Sequence, residues 1–372
     1  MEVNGYVRPW HFSTIRDYHI GFGALTSVSK VCSAYKWKDL ALITGNKTYE
    51  VAGKQLEELL RSSKFEVQVI KSKAIGSISL QDVNDVCSQI ERADSIIGVG
   101  GGSKLDIAKL VAQKYECHMV SVPTSIANDG LASNIASVVD ENGIRQSIQT
   151  IMPIALVADT KLIQISDPRL SKAGVGEAVS NYTAIEDWRL ASKKENVYKT
   201  KFSKHAYLAA SAAVQYLVRK IGEMPEIKIN DILDTIIINH VASGALMSVI
   251  GSSQPCSGAE HKLSHILDRD YKTGMLHGEQ VGIGAIVTSY LQSEKHRWKH
   301  LKRSFMFDIN WKTIRDALKK IGAPSTADDL DLTPEKLTEA LIKARDFRPE
   351  RYTILNEVKD SEIKHAVDKT VA

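Results

Sequence analysis

Short apolar runs alternate with segments of helical periodicity along the first 160 or so residues. Runs at 40–44 (LALIT), 66–70, 95–99, 118–122 and 154–158 predict strands, and 49–61, 80–91 and 104–113 predict the helices between them. That alternation is the pattern of βαβ units on a mostly parallel sheet. Two further runs, 136–140 and 144–151, flank Asp140-Glu141-Asn142-Gly143 and predict a β-hairpin. From about residue 162 the β signal fades and 3.6-residue periodicity dominates to the C-terminus, which predicts a helical second half. The most apolar stretch, 232–251, is broken by Asp234, Asn239, His240 and Ser243 and reads as a buried helix, with no membrane insertion expected.

Length and composition narrow this little. The 372 residues suit two domains, drawn at 1–160 and 161–372. Hydrophobic and charged fractions of 43% and 25% are those of an ordinary globular chain. A net charge of +4 is too small for a nucleic-acid footprint, so no nucleic-acid partner is expected, and it suits a small anionic substrate. Cys32, Cys87, Cys117 and Cys256 lie far apart without a CxxC, which predicts neither a disulfide framework nor a thiolate metal site. Residues 1–10 lack a secretory apolar segment, and the expected location is the cytoplasm.

Three constellations carry chemistry. Gly98-Val-Gly-Gly-Gly-Ser103 sits between a strand and a helix, where backbone N–H groups and a helix N-terminus suit a pyrophosphate. The run does not fit GxGxxG and follows the third predicted strand, so an ordinary Rossmann fingerprint is excluded. A loop rich in hydroxyl, amide and carboxylate groups, Val122-Pro-Thr-Ser-Ile-Ala-Asn-Asp-Gly-Leu-Ala-Ser133, lies just past a strand end, where open α/β sheets bind ligands. Finally, Glu260-His261-Lys-Leu-Ser-His265 puts two histidines on one helix face, His277 follows in Leu276-His277-Gly278-Glu279, and Glu177 lies beside two glycines upstream. One carboxylate and two histidines meet the specification of a catalytic zinc with an open position, and spacing alone leaves open which two of the three imidazoles bind. His240, His296 and His300 are assigned no role.

These motifs, with Gly176-Glu-Ala-Val-Ser-Asn-Tyr-Thr-Ala-Ile-Glu-Asp-Trp188, resemble the sn-glycerol-1-phosphate dehydrogenases. Those enzymes belong to the superfamily of iron-type alcohol dehydrogenases, glycerol dehydrogenase and dehydroquinate synthase, and the likeness runs from about Tyr18 to the Arg345 region. It implies a Rossmann-like α/β N-terminal domain with a mostly parallel sheet, binding the dinucleotide, and an all-α C-terminal domain binding metal and substrate. Gly100, Gly101, Gly102, Ser103 and Lys104 would hold the pyrophosphate of NAD or NADP, with Thr124, Ser125, Ile126, Ala127 and Ser133 completing the cofactor site. Glu177, His261 and His277 would bind one Zn²⁺ per subunit, and Asp129, Glu177 and His265 would act on the substrate. The family usually has Asp where this chain has Glu177.

The implied reaction is reversible reduction of dihydroxyacetone phosphate to sn-glycerol 1-phosphate, supplying the glycerophosphate backbone of archaeal membrane lipids. The metal would act as a Lewis acid at the C2 oxygen. After the first predicted strand come Gly45-Asn46-Lys47, with no acid to exclude a 2′-phosphate, so use of both NAD and NADP is expected. Asn181, Lys262 and Ser180 are candidates for the substrate phosphate. The likeness also implies a homo-oligomer, a dimer or a larger even-numbered assembly. The competing readings are a dehydrogenase for unphosphorylated glycerol and a dehydroquinate-synthase-like lyase with no net redox change.

Overall fold

The buried apolar runs become the centre of a parallel sheet. The computed structural model describes residues 13–141, 145–194, 202–296 and 309–372, with the backbone of two short N-terminal strands, β1 (Glu2–Val3) and β2 (Tyr6–Val7). Its main sheet has six strands: β3 (Asp17–Gly21), β4 (Asp39–Thr44), β5 (Glu66–Lys71), β6 (Ser95–Gly100), β7 (His118–Pro123) and β10 (Ala155–Asp159). Their order is β3-β10-β7-β6-β4-β5, every pair parallel. Every residue of β6 and β10 is buried, as expected of strands covered by helices on both faces.

Leaving out β3, the order is that of a doubly wound sheet, in which the chain moves outward from β4 to β5 and then returns past β4 to β6. The direction therefore reverses between β4 and β6. Strand β3 lies outside the expected set. Its sequence, Asp-Tyr-His-Ile-Gly, is mostly polar because it is an edge strand bonded only to β10.

The hairpin stands off the main sheet as an antiparallel pair, β8 (Ile135–Val139) and β9 (Arg145–Gln149), with Ser137 opposite Ser147. Strand β9 is shorter than expected, and Asn142 and Gly143 of the expected turn lie outside the described residues, as does His300. A buried ion pair fastens the hairpin to helix α1 (Gly102–Lys114). Lys109 Nζ bonds Asp106 Oδ1 at 2.8 Å and the Ile135 carbonyl at 2.6 Å, while Asp106 Oδ2 accepts the Ser137 N–H at 3.0 Å.

No described residue after Asp159 belongs to a strand. Helix α2 (Pro168–Ala191) starts where Asp167 caps the Arg169 N–H at 2.9 Å and Pro168 takes the first turn. Buried on most sides, it forms the axis of the helical half, with α3 (Leu233–Ile250), α4 (Ala259–Ile266) and α5 (His277–His296) around it. The apolar helix at Ile229–Ile250 is long enough to cross a membrane, yet 67% of its apolar window is buried against the fold. A single apolar core runs through Ile126 below the sheet, Val175 and Ala178 of α2, Ile236 of α3 and Ile286 of α5, while Leu42, Val99 and Val157 pack the other sheet face.

Helices α2 and α5 touch backbone to backbone. A Cβ on Gly176 would lie 2.0 Å from the Gly278 carbonyl oxygen, and one on Gly278 would lie 2.0 Å from that of Ala173. Gly176→Ala should therefore destabilise the protein by on the order of 3 kcal/mol, because the clash outweighs alanine's helix propensity. Urea unfolding of the variant beside Gly222→Ala, whose Cβ would meet open space, checks this.

Candidate active site

Three of the expected ligands converge. Helix α2 supplies Glu177, α4 supplies His261 and the first residue of α5 is His277, and their ligand atoms lie within 4.8 Å of one another. Nε2 of His261 is 3.7 Å from Glu177 Oε1, and Nε2 of His277 is 3.6 Å from Glu177 Oε2. Ligand atoms bound at about 2.1 Å in a tetrahedron stand about 3.4 Å apart, so this spacing suits a divalent cation better than direct hydrogen bonds. Glu177 Oε2 is buried and has no hydrogen-bond partner, a costly arrangement for a carboxylate unless a cation meets it.

Groups behind the histidines orient them. Nδ1 of His261 bonds Glu260 Oε1 at 3.0 Å, and Nδ1 of His277 bonds Ser264 Oγ at 2.8 Å, the hydroxyl in turn donating to Gln280 Oε1. With Nδ1 engaged on each ring, Nε2 is the nitrogen presented to the cluster, as in metal-binding histidines. Glu260 is itself held by the Gly258 N–H at 2.6 Å and the Thr183 hydroxyl at 2.8 Å.

Burial would raise the Glu177 carboxyl, but His277 and His261 outweigh it and hold it down to about 2. Burial would lower His261, yet the Glu177 and Glu260 carboxylates push it up to about 9, whereas for His277 burial prevails and takes it to about 4. The metal-free cluster at neutral pH therefore carries one anion, one cationic imidazole and one neutral imidazole.

The cluster opens into a cleft of about 140 Å³ between the α/β and helical parts. Asp129, Ser133, His261, His265 and His277 line it, so the substrate residues expected from the sequence share one cavity with the ligands. Asp129 opens a short turn in which Asn128 Oδ1 accepts the Gly130 N–H at 3.0 Å, and burial, reinforced by Glu177, raises its carboxyl to about 7. The ring of His265 packs at 5.1 Å on Phe347, and burial, helped by the charge of Arg348, keeps it neutral at pH 7.

The glycine run lies beside this cleft, at the point where the strand order reverses. Gly100 ends β6 at φ 156°, a conformation in which a side chain would also strike Lys104 at 2.7 Å. Helix α1 then starts at Gly102 with no side-chain cap and no acid in its first turn, leaving N–H groups for an anion. Gly101 lies against Ser125 and Gly102 against Asn128, which joins the run to the cleft.

Not every expected cofactor residue faces this crevice. Lys104 packs across Gly45 and donates its ammonium to the Ala74 carbonyl, tying the ends of β4 and β5 to α1. Ile126 is buried in the core, and its carbonyl pairs with Nε2 of the buried His240 at 3.0 Å.

The suggested phosphate residues are all committed elsewhere. Asn181 donates to the Ser243 hydroxyl at 2.7 Å, Ser180 to the Glu177 carbonyl at 2.8 Å, and Lys262 to the carbonyls of Arg345 and Arg351 at 2.9 and 3.2 Å. Instead the cleft wall includes Arg145 and Arg348, which the motif reading did not single out. They lie 203 residues apart in otherwise ordinary polar stretches, so no local signal pairs them.

Comparison with known proteins agrees with this architecture. A family model described as iron-containing alcohol dehydrogenase matches residues 19–166. The chain is 38% identical to the NAD(P)+ glycerol-1-phosphate dehydrogenase of Methanosarcina acetivorans, covering 91% of this chain and 90% of that one. It is 37% identical to the protein of the same name from Thermococcus sibiricus, over 95% of both. Among solved structures, glycerol dehydrogenase from Schizosaccharomyces pombe superposes with a TM-score of 0.73 at 19% identity, covering 97% of this chain and 90% of that one. Sulfoacetaldehyde reductase from Bifidobacterium kashiwanohense, in complex with NAD+, gives 0.70 at 15% identity, covering 98% of this chain and all of that one (100%).

The cluster predicts a measurable linkage. A divalent cation at about 100 times its Kd should stabilise the fold by about 2.7 kcal/mol, reversed by chelator. Because the His261 pKa is raised to about 9, above its ordinary 6.5, the metal-free ring carries a proton at pH 7 that the ion must displace. Calorimetry in buffers of different ionisation enthalpy should register release of about one proton per ion at pH 7, falling toward none above pH 9.

Proposed function

The chain belongs to the glycerol-1-phosphate dehydrogenase family, and from that premise we propose that it reversibly reduces dihydroxyacetone phosphate to sn-glycerol 1-phosphate with NADH or NADPH. The observation that carries this reading is identity of 34–38% over nearly the whole chain with relatives of that name. The product is the glycerophosphate backbone of archaeal membrane lipids.

The residues of the site fit the chemistry. Glu177, His261 and His277 would hold a zinc ion, and the unpartnered Glu177 Oε2 together with two oriented Nε2 atoms supports that choice. When bound, such an ion supplies Lewis-acid stabilisation of the charge that develops on the ketone oxygen. Glutamate in place of the usual aspartate still delivers a carboxylate to both imidazoles.

The polypeptide positions and isolates the reactants. Gly100, Gly101, Gly102 and Ser103 would receive the cofactor pyrophosphate on the uncapped start of α1, with Thr124, Ser125, Ala127 and Ser133 shaping the adjoining wall. Lys104 and Ile126 would support that wall from behind. Asp129 and the neutral imidazole of His265 would bond the substrate hydroxyl and its reacting oxygen beside the metal cluster. Withdrawal of these groups from water strengthens each polar contact made there. We assign 1–160 to the dinucleotide and 161–372 to metal and substrate, and we place the protein in the cytoplasm as a homo-oligomer.

The test is NADH oxidation by metal-replete protein with dihydroxyacetone phosphate and dihydroxyacetone in parallel, repeated after chelation and zinc return. Turnover confined to the phosphorylated ketone, lost to chelator and restored by zinc, is the expected result. Preference for dihydroxyacetone would favour a glycerol dehydrogenase, and no turnover of either ketone would overturn the reading.

Cofactor choice has its own test. Asn46 is exposed directly after Gly45 at the end of β4, beside the reversal point, with no acidic neighbour in that turn to repel a 2′-phosphate. Asn46→Asp should raise KM for NADPH about tenfold while changing KM for NADH little. Equal loss with both cofactors would show that the ribose lies elsewhere.

A further inference from the structure

A phosphorylated ketone brings a second demand that the metal cluster cannot meet, since its phosphate must be held away from Glu177 and Asp129 by preset cationic donors. We infer that Arg145 and Arg348 form this phosphate clamp and set the preference for phosphorylated over unphosphorylated substrate, an inference that rests on the function proposed above. Arg145 comes from β9 of the hairpin and Arg348 from the segment after the helix Pro334–Asp346, and both line the same cleft as Glu177, His261 and His277. Both charges bear on His265, which places them around the same imidazole.

The donors of these arginines are loosely engaged. Arg348 Nη2 reaches the Arg145 carbonyl at only 3.4 Å, and no carboxylate lies within 4.0 Å of the Arg348 guanidinium among the described residues. This half-buried cation thus has no directly bonded carboxylate among the described residues, only the nearby charge of Glu350, and a planar fork of N–H donors is the group best matched to phosphate oxygens. Arg348 also adopts φ 49°, a left-handed conformation unfavourable for a residue with a Cβ.

Among the described residues, Arg145 reaches the hydroxyls of Ser137 at 3.4 Å and Ser77 at 3.2 Å and Asp268 Oδ2 at 3.6 Å. Each is weak enough for an incoming dianion to replace. The Asp106–Lys109 pair and the Ser137 N–H hold the hairpin, and therefore Arg145, against α1. Behind Arg348, Arg351 bonds the Ser257 carbonyl at 2.9 Å and Ser253 Oγ at 3.1 Å, anchoring the same segment to the opposite wall. The cleft thus holds the Glu177, His261 and His277 cluster together with two guanidinium groups contributed by other elements.

The experiment compares wild type with Arg348→Gln and Arg145→Gln, two variants on separate elements. It reads kinetics with dihydroxyacetone phosphate and dihydroxyacetone, and binding of inorganic phosphate to the metal-loaded protein by calorimetry. Each variant should lose about tenfold to hundredfold in kcat/KM for the phosphorylated ketone, mostly through KM. The preference over dihydroxyacetone should fall with it, inorganic phosphate binding should weaken alike, and Arg348→Lys should restore part of both.

A wild type that turns over the phosphorylated ketone, with both variants within twofold of it, would overturn the clamp and leave the function standing. A wild type inactive on that ketone would overturn the function. The phosphate titration then still decides the anion site, which stands if the variants lose binding that the wild type shows and falls if the wild type binds none.

Discussion

The contact between α2 and α5 at Gly176 and Gly278 is the constraint on which the site depends. Because Gly176 and Gly278 carry no Cβ the two backbones can meet there, and that approach brings His277 Nε2 within 3.6 Å of Glu177 Oε2. Helix α4 completes the set from the side, with Gly284 of α5 against the Glu260 backbone. The geometry of the Glu177, His261 and His277 cluster is thus a property of helix packing.

That packing requires buried charge, and the protein handles it with a second layer of carboxylates. Asp187, one helical face away from Glu177, accepts N–H groups of Ala259 and Ile354 at 2.9 Å each and a Gln292 amide N–H at 3.0 Å. Its carboxyl is nonetheless raised to about 7, first by burial and then by the neighbouring Glu260. Such a buried group is worth little to stability by itself but determines where the start of α4 lies, and with it His261. The same layer fixes the His261 tautomer through Glu260, so position and protonation of that imidazole are set by one network.

The two sets of charged groups in the cleft are built differently for a physical reason. A metal cluster needs rigid, short-range geometry and draws its groups from the packed starts and middles of helices. An anion needs charge and adaptable donors, and Arg145 and Arg348 come instead from a hairpin and an irregular segment. Asp129 and His265 line the same cleft.

Local pattern was enough for much of this protein. Apolar runs such as Ile96–Val99, bounded by glycines, suit strands buried on both faces, and the glycines after them mark a tight approach to an anion, so the mostly parallel α/β half and its glycine run were legible, while the strand order was not. The 3.6-residue period predicted the helical half, and HxxxH with His277 predicted a metal cluster, although spacing alone did not say which imidazoles converge. Tertiary structure decided that, because His265 turns to Phe347 and the cleft while His261 turns to Glu177. It also revealed β3, whose polar edge sequence carries no apolar run, and reassigned Lys104, Lys262, Asn181 and Ser180 to structural bonds. The pairing of Arg145 with Arg348 was legible nowhere in the chain, since periodicity reports which side of an element faces the core and says nothing about which distant polar residues meet across a cleft.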